Sequence, residues 1–415
     1  MAITINKRPH LLAPIGNYNI WSVSSDIPTL VYVLLTVKDG ELGGIITKKK
    51  LYKKPTSPTI EFDLKEVLKD SVLNDVVIGF NTLYTISSAS SYILEFNEYF
   101  INNDVLIGGN TFVDDEIHYY FNGELNPMEY ARYSSNVYNL NQNQTAKYLT
   151  NHVDIKQVEY EQKESLSIFN VDGMDVNVII TCYNNQSVVG TITESIEGVV
   201  GQRIDINMSP SYISSRVGEV EFSTYKIELV DTNNKILTKE KFYQIEDDCK
   251  TTPLYIYYKN DVGGWDSLKL NNPIETFTTT KNYLNSLPSF SSSKFNNAKK
   301  LINKSSTYSY TAFSELLNDN ESLLIRELIS SSEVYVVIDE YLVEVIVDSN
   351  KYKVLQRHTN GGKKARFELS FTSPFSLLKI KEMISEYRRG NIDQLNYIMN
   401  NFWSLVNPNN TIKII

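Results

Sequence analysis

Period-two alternation of apolar and polar positions dominates the chain. Residues 219–230 (EVEFSTYKIELV) and 235–245 (KILTKEKFYQI) alternate in this way, and DTNN between them supplies turn chemistry, so the pair predicts a β-hairpin. Residues 29–37 (TLVYVLLTV) form an apolar run of strand length closed by the turn residues KDGELGG, and 175–183 (DVNVIITCY) is rich in β-branched residues. Four further strands, 333–340, 341–347, 351–356 and 365–371, are separated by turn signals such as DSN and TNGGKK, which predicts a four-stranded meander.

Helical periodicity is rarer. It marks 62–72, with Asp63 as the N-cap, then 320–329, 374–389 between Pro374 and Gly390, and 391–406. In the last of these Leu395, Ile398, Met399, Phe402 and Leu405 recur at i, i+3, i+4 spacing.

This pattern predicts a mainly β protein of several β-sandwiches, with a few short helices and a helical C-terminal tail. Residues 1–100 read as an N-terminal sandwich with one helix. Residues 101–155, rich in Asn and Tyr with weak periodicity, read as an extended insertion or an arm that orders on a partner. About seven short strands over 156–250 carry the sandwich signature. A third β domain follows over 251–375. Residues 376–415 form the helical tail, ending in NTIKII as an added strand.

Composition narrows the function classes. A net charge of −9 argues against a nucleic-acid wrapper, which needs a basic stripe, but allows a channel that DNA merely traverses. The chain holds 28 Tyr against 17 Phe and 3 Trp, a balance suited to half-buried strands and interfaces. Cys182 and Cys249 are read as reduced thiols, and His10, His118, His152 and His358 lack ligand spacing, so no metal or other cofactor is expected. MAITINKRPHLLAP lacks the apolar core of a secretory signal and the longest apolar runs are strand length, so synthesis in a cytosol without membrane insertion is expected.

Catalytic motifs are absent: no GxSxG, P-loop or HExxH occurs, and the chain is read as no enzyme. The acidic runs 113–116 (VDDE) and 246–249 (EDDC) read as solvated loops, and His118 beside the first as a half-exposed strand residue rather than a general base. Lys48, Lys49 and Lys50 form the one basic cluster and read as protection of an edge strand, or as a contact to an acidic neighbouring subunit. Gly263, Gly264, Trp265 and Asp266 read as a rigid β corner: glycines to reverse the chain, Trp265 to pack it down, Asp266 to hold the turn. A valine at position 264 is expected to be costly if φ is positive there and nearly silent otherwise.

Several segments together resemble a family of virion structural proteins from tailed phages of Bacteroidetes hosts, including the crAss-like phages. They are KRPHLLAPIGNYNIWSVSSD (7–26), PTIEFDLKEVLKDSV (58–72), LYIYYKNDVGGWDSLKL (254–270), the strands within 327–347, and KKARFELSFTSPF (363–375). The sequence departs from the family pattern at Tyr18, where proline commonly follows the Asn, and in the tail from 376 onward. The resemblance implies a homo-oligomeric ring subunit of the portal–neck–tail assembly, built from immunoglobulin-like β-sandwiches and assembled in the host cytoplasm, which conducts the ejected genome with at most transient contact to DNA. Neighbouring tail or portal rings would be its partners. Tyr255, Tyr257, Tyr258, Tyr130, Tyr133 and Tyr138, with Lys48–Lys50, are then the expected interface residues. A host-attachment module gripping carbohydrate on an aromatic row, and a glycan hydrolase with paired carboxylates, are the alternatives.

Overall fold

In a computed structural model the described residues are 3–54, 57, 59–72, 79–218, 220–246, 253–285, 289–291, 294–296, 299–314, 322–338, 341–348, 368–373 and 377–389. They are mainly β and fall into two compact units. One comprises Met1–Asp247 with Lys259–Ser267, the other Asp248–Tyr258 with Leu268–Ile415.

The first unit holds two immunoglobulin-like sandwiches. In the first, β1 (Ile3–Lys7), β2 (Leu12–Pro14), β3 (Ile20–Ser25), β4 (Leu30–Asp39), β5 (Ile45–Tyr52) and β6 (Thr59–Asp63) precede the short helix α1 (Lys65–Leu68). Next come β7 (Tyr84–Ser88), β8 (Ser90–Asn102), β9 (Val105–Val113) and β10 (His118–Phe121). One sheet is ordered β1-β3-β6; the other is β2-β10-β8-β4-β5, with β9 also on β8. Trp21, Val23, Ile60 and Phe62 of the first face Val33, Leu35, Leu94 and Phe96 of the second in one core. Asp63 supports α1 by accepting from the Lys65 backbone N–H at 3.0 Å.

After α2 (Pro127–Tyr130), the second sandwich uses β11 (Ile155–Glu159), β12 (Ser165–Asp172), β13 (Val176–Asn184), β14 (Ser187–Ile196), β15 (Val200–Asn207), α3 (Pro210–Arg216), β16 (Thr224–Asp231) and β17 (Lys241–Glu246). Its sheets are β11-β17-β16-β13-β14 and β12-β15-β7. The β16–β17 hairpin forms as the DTNN signal predicts: Asp231 Oδ1 accepts the amides of Asn233 and Lys235, both at 2.8 Å.

The larger sheets of the two sandwiches share one five-strand order. In each, a short opening strand runs parallel to the closing strand (β2 with β10, β11 with β17), and a middle strand pairs with the long strand before the close. The sandwiches are also joined through shared strands and a common core. Residues 84–102 serve both, β7 pairing with β15 of the second sandwich and β8 with β4 of the first. Between them lies a small core of Leu12, Ala89, Tyr119, Phe121, Tyr133, Tyr138, Leu149 and Phe169, among others.

Residues 101–155 are thus no free arm. Their first part supplies β9 and β10 to the first sandwich, and Tyr133, Tyr138, Leu140, Tyr148 and Leu149 anchor the remainder in buried cores. Burying these large side chains, each worth about 1.5–3 kcal/mol, offsets the entropy of ordering an irregular segment.

The second unit is built on one seven-stranded sheet. It uses β18 (Leu254–Lys259), β19 (Trp265–Asn285), a small tip hairpin of β20 (Ser289–Ser291) and β21 (Lys294–Asn296), and β22 (Lys299–Ser314). Helix α4 (Ser322–Ser330), β23 (Val334–Ile338), β24 (Tyr341–Glu344), β25 (Ile346–Val347), β26 (Glu368–Ser373) and helix α5 (Leu377–Arg388) complete it. The order β24-β23-β18-β19-β22-β26-β25 corrects the expected meander. β23 and β24 lie at one end of the sheet and β25 and β26 at the other, because β18, β19 and β22 occupy the centre. Ile380 and Ile384 of α5 join the core of this unit, so that part of the expected tail is integral to it. The expected helix 391–406, the strands 351–356 and NTIKII, Cys249 and His358 lie outside the described residues. Cys182 is a buried free thiol, and no described helix is long and apolar enough to cross a membrane.

Candidate functional site

The turn from β18 to β19 is governed by Asn260. Its side-chain oxygen accepts the amides of Val262 at 3.2 Å and Gly264 at 2.8 Å, and its backbone N–H donates to the Gly264 carbonyl at 3.0 Å. Its amide nitrogen donates to the Leu149 carbonyl at 2.9 Å and to Asp266 Oδ2 at 2.7 Å. Gly263 has φ +85°, and its carbonyl accepts from Arg203 at 3.1 Å. Trp265 is buried. The four residues singled out in the sequence lie in and beside this turn, whose backbone is held by Asn260 while Asp266 accepts from the Asn260 side chain. The setting differs from the sequence reading: Lys259–Ser267 belongs to the first unit, where the turn packs on Phe121, Asn122 and Leu149.

A buried polar network continues from this corner. Asp266 accepts from Thr150 at 2.6 Å and lies 3.6 Å from His152 Nε2. Lys156 Nζ donates to Glu164 Oε2 at 2.8 Å and to the Ser267 carbonyl at 3.0 Å. Gln162 donates to Glu164 at 2.8 Å and to Ser267 Oγ at 2.7 Å, and Ser267 Oγ donates to Glu164. Lys241 donates to the His152 carbonyl.

Burial governs the charges here. It raises the Glu164 carboxyl against the pull of Lys156, and it holds His152 well below the usual imidazole range, aided by Lys156 and Lys241. It lowers Lys241 to about 8, with Asp266 opposing. Shifted groups in a cluster are the mark of an active site, yet buried ion pairs produce the same shifts. His152 and Asp266, and Lys156 and Glu164, face one another as buried pairs within the protein. Sequence reasoning missed Asn260, Lys156 and Glu164. For Lys156 the available signal was a polar residue at an inward strand position, which alternation treats as noise; Asn260 and Glu164 lie just outside strands, where alternation gives none.

The Lys241 shift carries a prediction. Above pH 8 the folded chain holds the neutral amine, whereas the unfolded chain keeps its proton up to about 10.5. Stability from this group therefore rises with pH between those limits and is lost as pH falls through 8. Chemical denaturation at pH 7.5 and 9.5 is expected to show that rise in the parent and not in Lys241→Met; parallel behaviour of the two would refute the depressed lysine.

The expected interface residues divide. Tyr257 and Tyr258 are fully buried, Tyr258 within the core of the second unit, and Tyr133 and Tyr138 sit in the core between the sandwiches. These four are corrected from interface to interior. Tyr133 shows the reason: its ring is buried while its hydroxyl donates to the Leu12 carbonyl at 2.7 Å, so the polar tip is satisfied inside. Tyr130 and Tyr255 are half-buried, and Tyr130 donates to the Tyr18 carbonyl at 2.6 Å. Lys48, Lys49 and Lys50 are exposed on β5, the edge strand of its sheet, with Lys50 over the Tyr32 ring at 5.0 Å.

His118 is a core residue, a correction to its reading as half-exposed. It lies edge-on to Trp21 with ring centroids 4.6 Å apart, and its Nε2 is 3.2 Å from Asp114, which also pairs with Arg8 at 2.8 Å. Asp114 is likewise buried, while Asp115 and Glu116 are exposed, so the VDDE run is only partly a solvated loop.

The structure also holds a feature absent from the sequence reading. β19 and β22 pair from Leu270–Ser314 out to Asn285–Lys299, and from Ile274 outward nearly every residue of both strands is exposed up to Tyr308. Successive residues point to opposite faces, so this ribbon is open to solvent on both sides over roughly 35–40 Å.

No family model and no curated protein matches the chain. Among solved structures it is similar to CBD12 from CALX1.2, at 8% identity over 59% of this chain and 100% of that one, with a TM-score of 0.18. It is also similar to a chain of the Dpr2 Ig1-Ig2 complex with DIP-Theta Ig1-Ig3, at 9% identity over 60% of this chain and 100% of that one, with a TM-score of 0.13.

Proposed function

We propose that this chain is a structural virion protein, a ring-forming subunit of a phage portal–neck–tail assembly through which the genome is ejected. The observation that carries the reading is the exposed ribbon of β19 and β22 on an otherwise well-packed β protein. A two-stranded ribbon is marginal in water on its own, so a chain that maintains one is built to place it against something else. The joined sandwiches support the reading, since a ring subunit needs modules that keep their angle under load. The resemblance of residues 7–26, 58–72 and 254–270 to phage virion proteins supplies the setting.

Gold-labelled antibody against the chain, applied to intact virions, is expected to mark the axis from portal to tail. Label at fibre tips would favour the attachment module instead. A virion without label, intact or opened, would end the virion reading.

A further inference from the structure

The geometry points to a specific use of the ribbon: it docks one of its two faces, the aromatic and lysine face, on the acidic surface of a second copy of this chain. The inference deepens the ring reading and rests on it. Residues paired across the ladder share a face, so the register assigns the faces directly. Thr276, Thr278 and Thr280 lie opposite Ser309, Thr307 and Ser305, so the middle of one face is a field of hydroxyls, with Ile274 and Leu284 at its two ends. On the other face Phe277 lies opposite Tyr308, Lys281 opposite Lys304, and Tyr283 opposite Leu301. The Phe277 and Tyr308 ring centroids are 5.0 Å apart, with Phe277 54% and Tyr283 53% exposed.

Charge selects the occupant. Residues 281–304 contain Lys281, Lys294, Lys299, Lys300 and Lys304 and no acidic residue, whereas the whole chain carries −9. The remainder of each copy is therefore more acidic than the total and complements the ribbon of its neighbour. A contact between a ribbon and a body is heterologous, the kind that closes rings. The apolar members of the lysine face favour protein over nucleic acid: phosphate rewards the lysines, but exposed Phe277, Tyr283 and Leu301 gain only by burial. Ribbon-to-ribbon pairing along the free edges is the weaker arrangement, because it would set these lysine clusters side by side.

The test compares two double variants of the full chain with matched charge changes on opposite faces. Sedimentation velocity over a concentration series is expected to show self-association weakened at least tenfold in Lys281→Gln/Lys304→Gln. Thr278→Glu/Ser305→Glu, on the hydroxyl face, is expected to stay within twofold of the parent. Equal effects, or none in either variant, would overturn the face assignment. Loss of binding to a short DNA duplex in the lysine variant, with self-association unchanged, would overturn the second copy in favour of nucleic acid. Rings that persist in that variant by negative-stain microscopy would remove this contact while leaving the ring reading intact. Failure of the ring reading itself registers separately, in the virion labelling.

Discussion

Gly264→Val is expected to lower the unfolding free energy by about 3 kcal/mol or more, at the upper end of what overpacking costs. A Cβ at position 264 would lie 1.9 Å from the Leu149 carbonyl oxygen and 2.9 Å from both the Leu149 carbonyl carbon and Cβ. Neither side can withdraw cheaply. The Leu149 carbonyl is held by Asn260 at 2.9 Å, its N–H donates to the Ser167 carbonyl at 2.8 Å, and its side chain is buried. On the other side, the Gly264 amide is held by Asn260 at 2.8 Å. Gly44→Ala is the control, since nothing lies within 4 Å of a Cβ there. Urea denaturation should place Gly264→Val far below Gly44→Ala, which is expected within 0.5 kcal/mol or so of the parent. Similar midpoints for the two would mean that the corner does not rest on Leu149.

The reason for that cost differs from the one the sequence suggests. Paired glycines in a turn imply positive φ, and one of them has it, but it is Gly263 at +85°. Gly264 is required by the approach of another backbone segment, from more than a hundred residues away, which no local pattern encodes. The same limit explains other differences. Strands with one buried face, such as β13 and β16, were legible because alternation records the burial, and β4, buried on both faces, because its apolar run has strand length. The ribbon was not, because a strand open on both faces needs no apolar alternation; in TFTTTK the repeat is of hydroxyls. Residues 122–154 lacked periodicity because they pack as an irregular chain, through single side chains such as Tyr138 and Leu149. The tyrosine excess reads as interface by composition, yet many of these rings are interior. Tyr225 donates to the Met208 carbonyl at 2.6 Å, and Tyr148 bonds with Thr238 at 3.0 Å.

Lys156→Met should cost about 3–5 kcal/mol at pH 8, the usual effect of removing one partner of a buried ion pair. Both members are buried, and Glu164 would be left with Gln162 and Ser267 as neutral donors. The deficit should depend on pH with a definite sign. Burial already raises the Glu164 carboxyl, and losing Lys156 removes the largest opposing influence, so in the variant it is raised further. A carboxyl raised by folding contributes stability below its unfolded value, near 4.5, and loses it as pH rises through the folded one. The deficit is therefore expected to shrink between pH 8 and pH 5. Adding Glu164→Gln should restore much of the loss at pH 8, because the uncompensated charge is gone while the neighbours keep a hydrogen-bonding partner. A deficit below 1 kcal/mol or so at pH 8, or a double variant no better than Lys156→Met alone, would show that the pair does not hold the corner to the second sandwich.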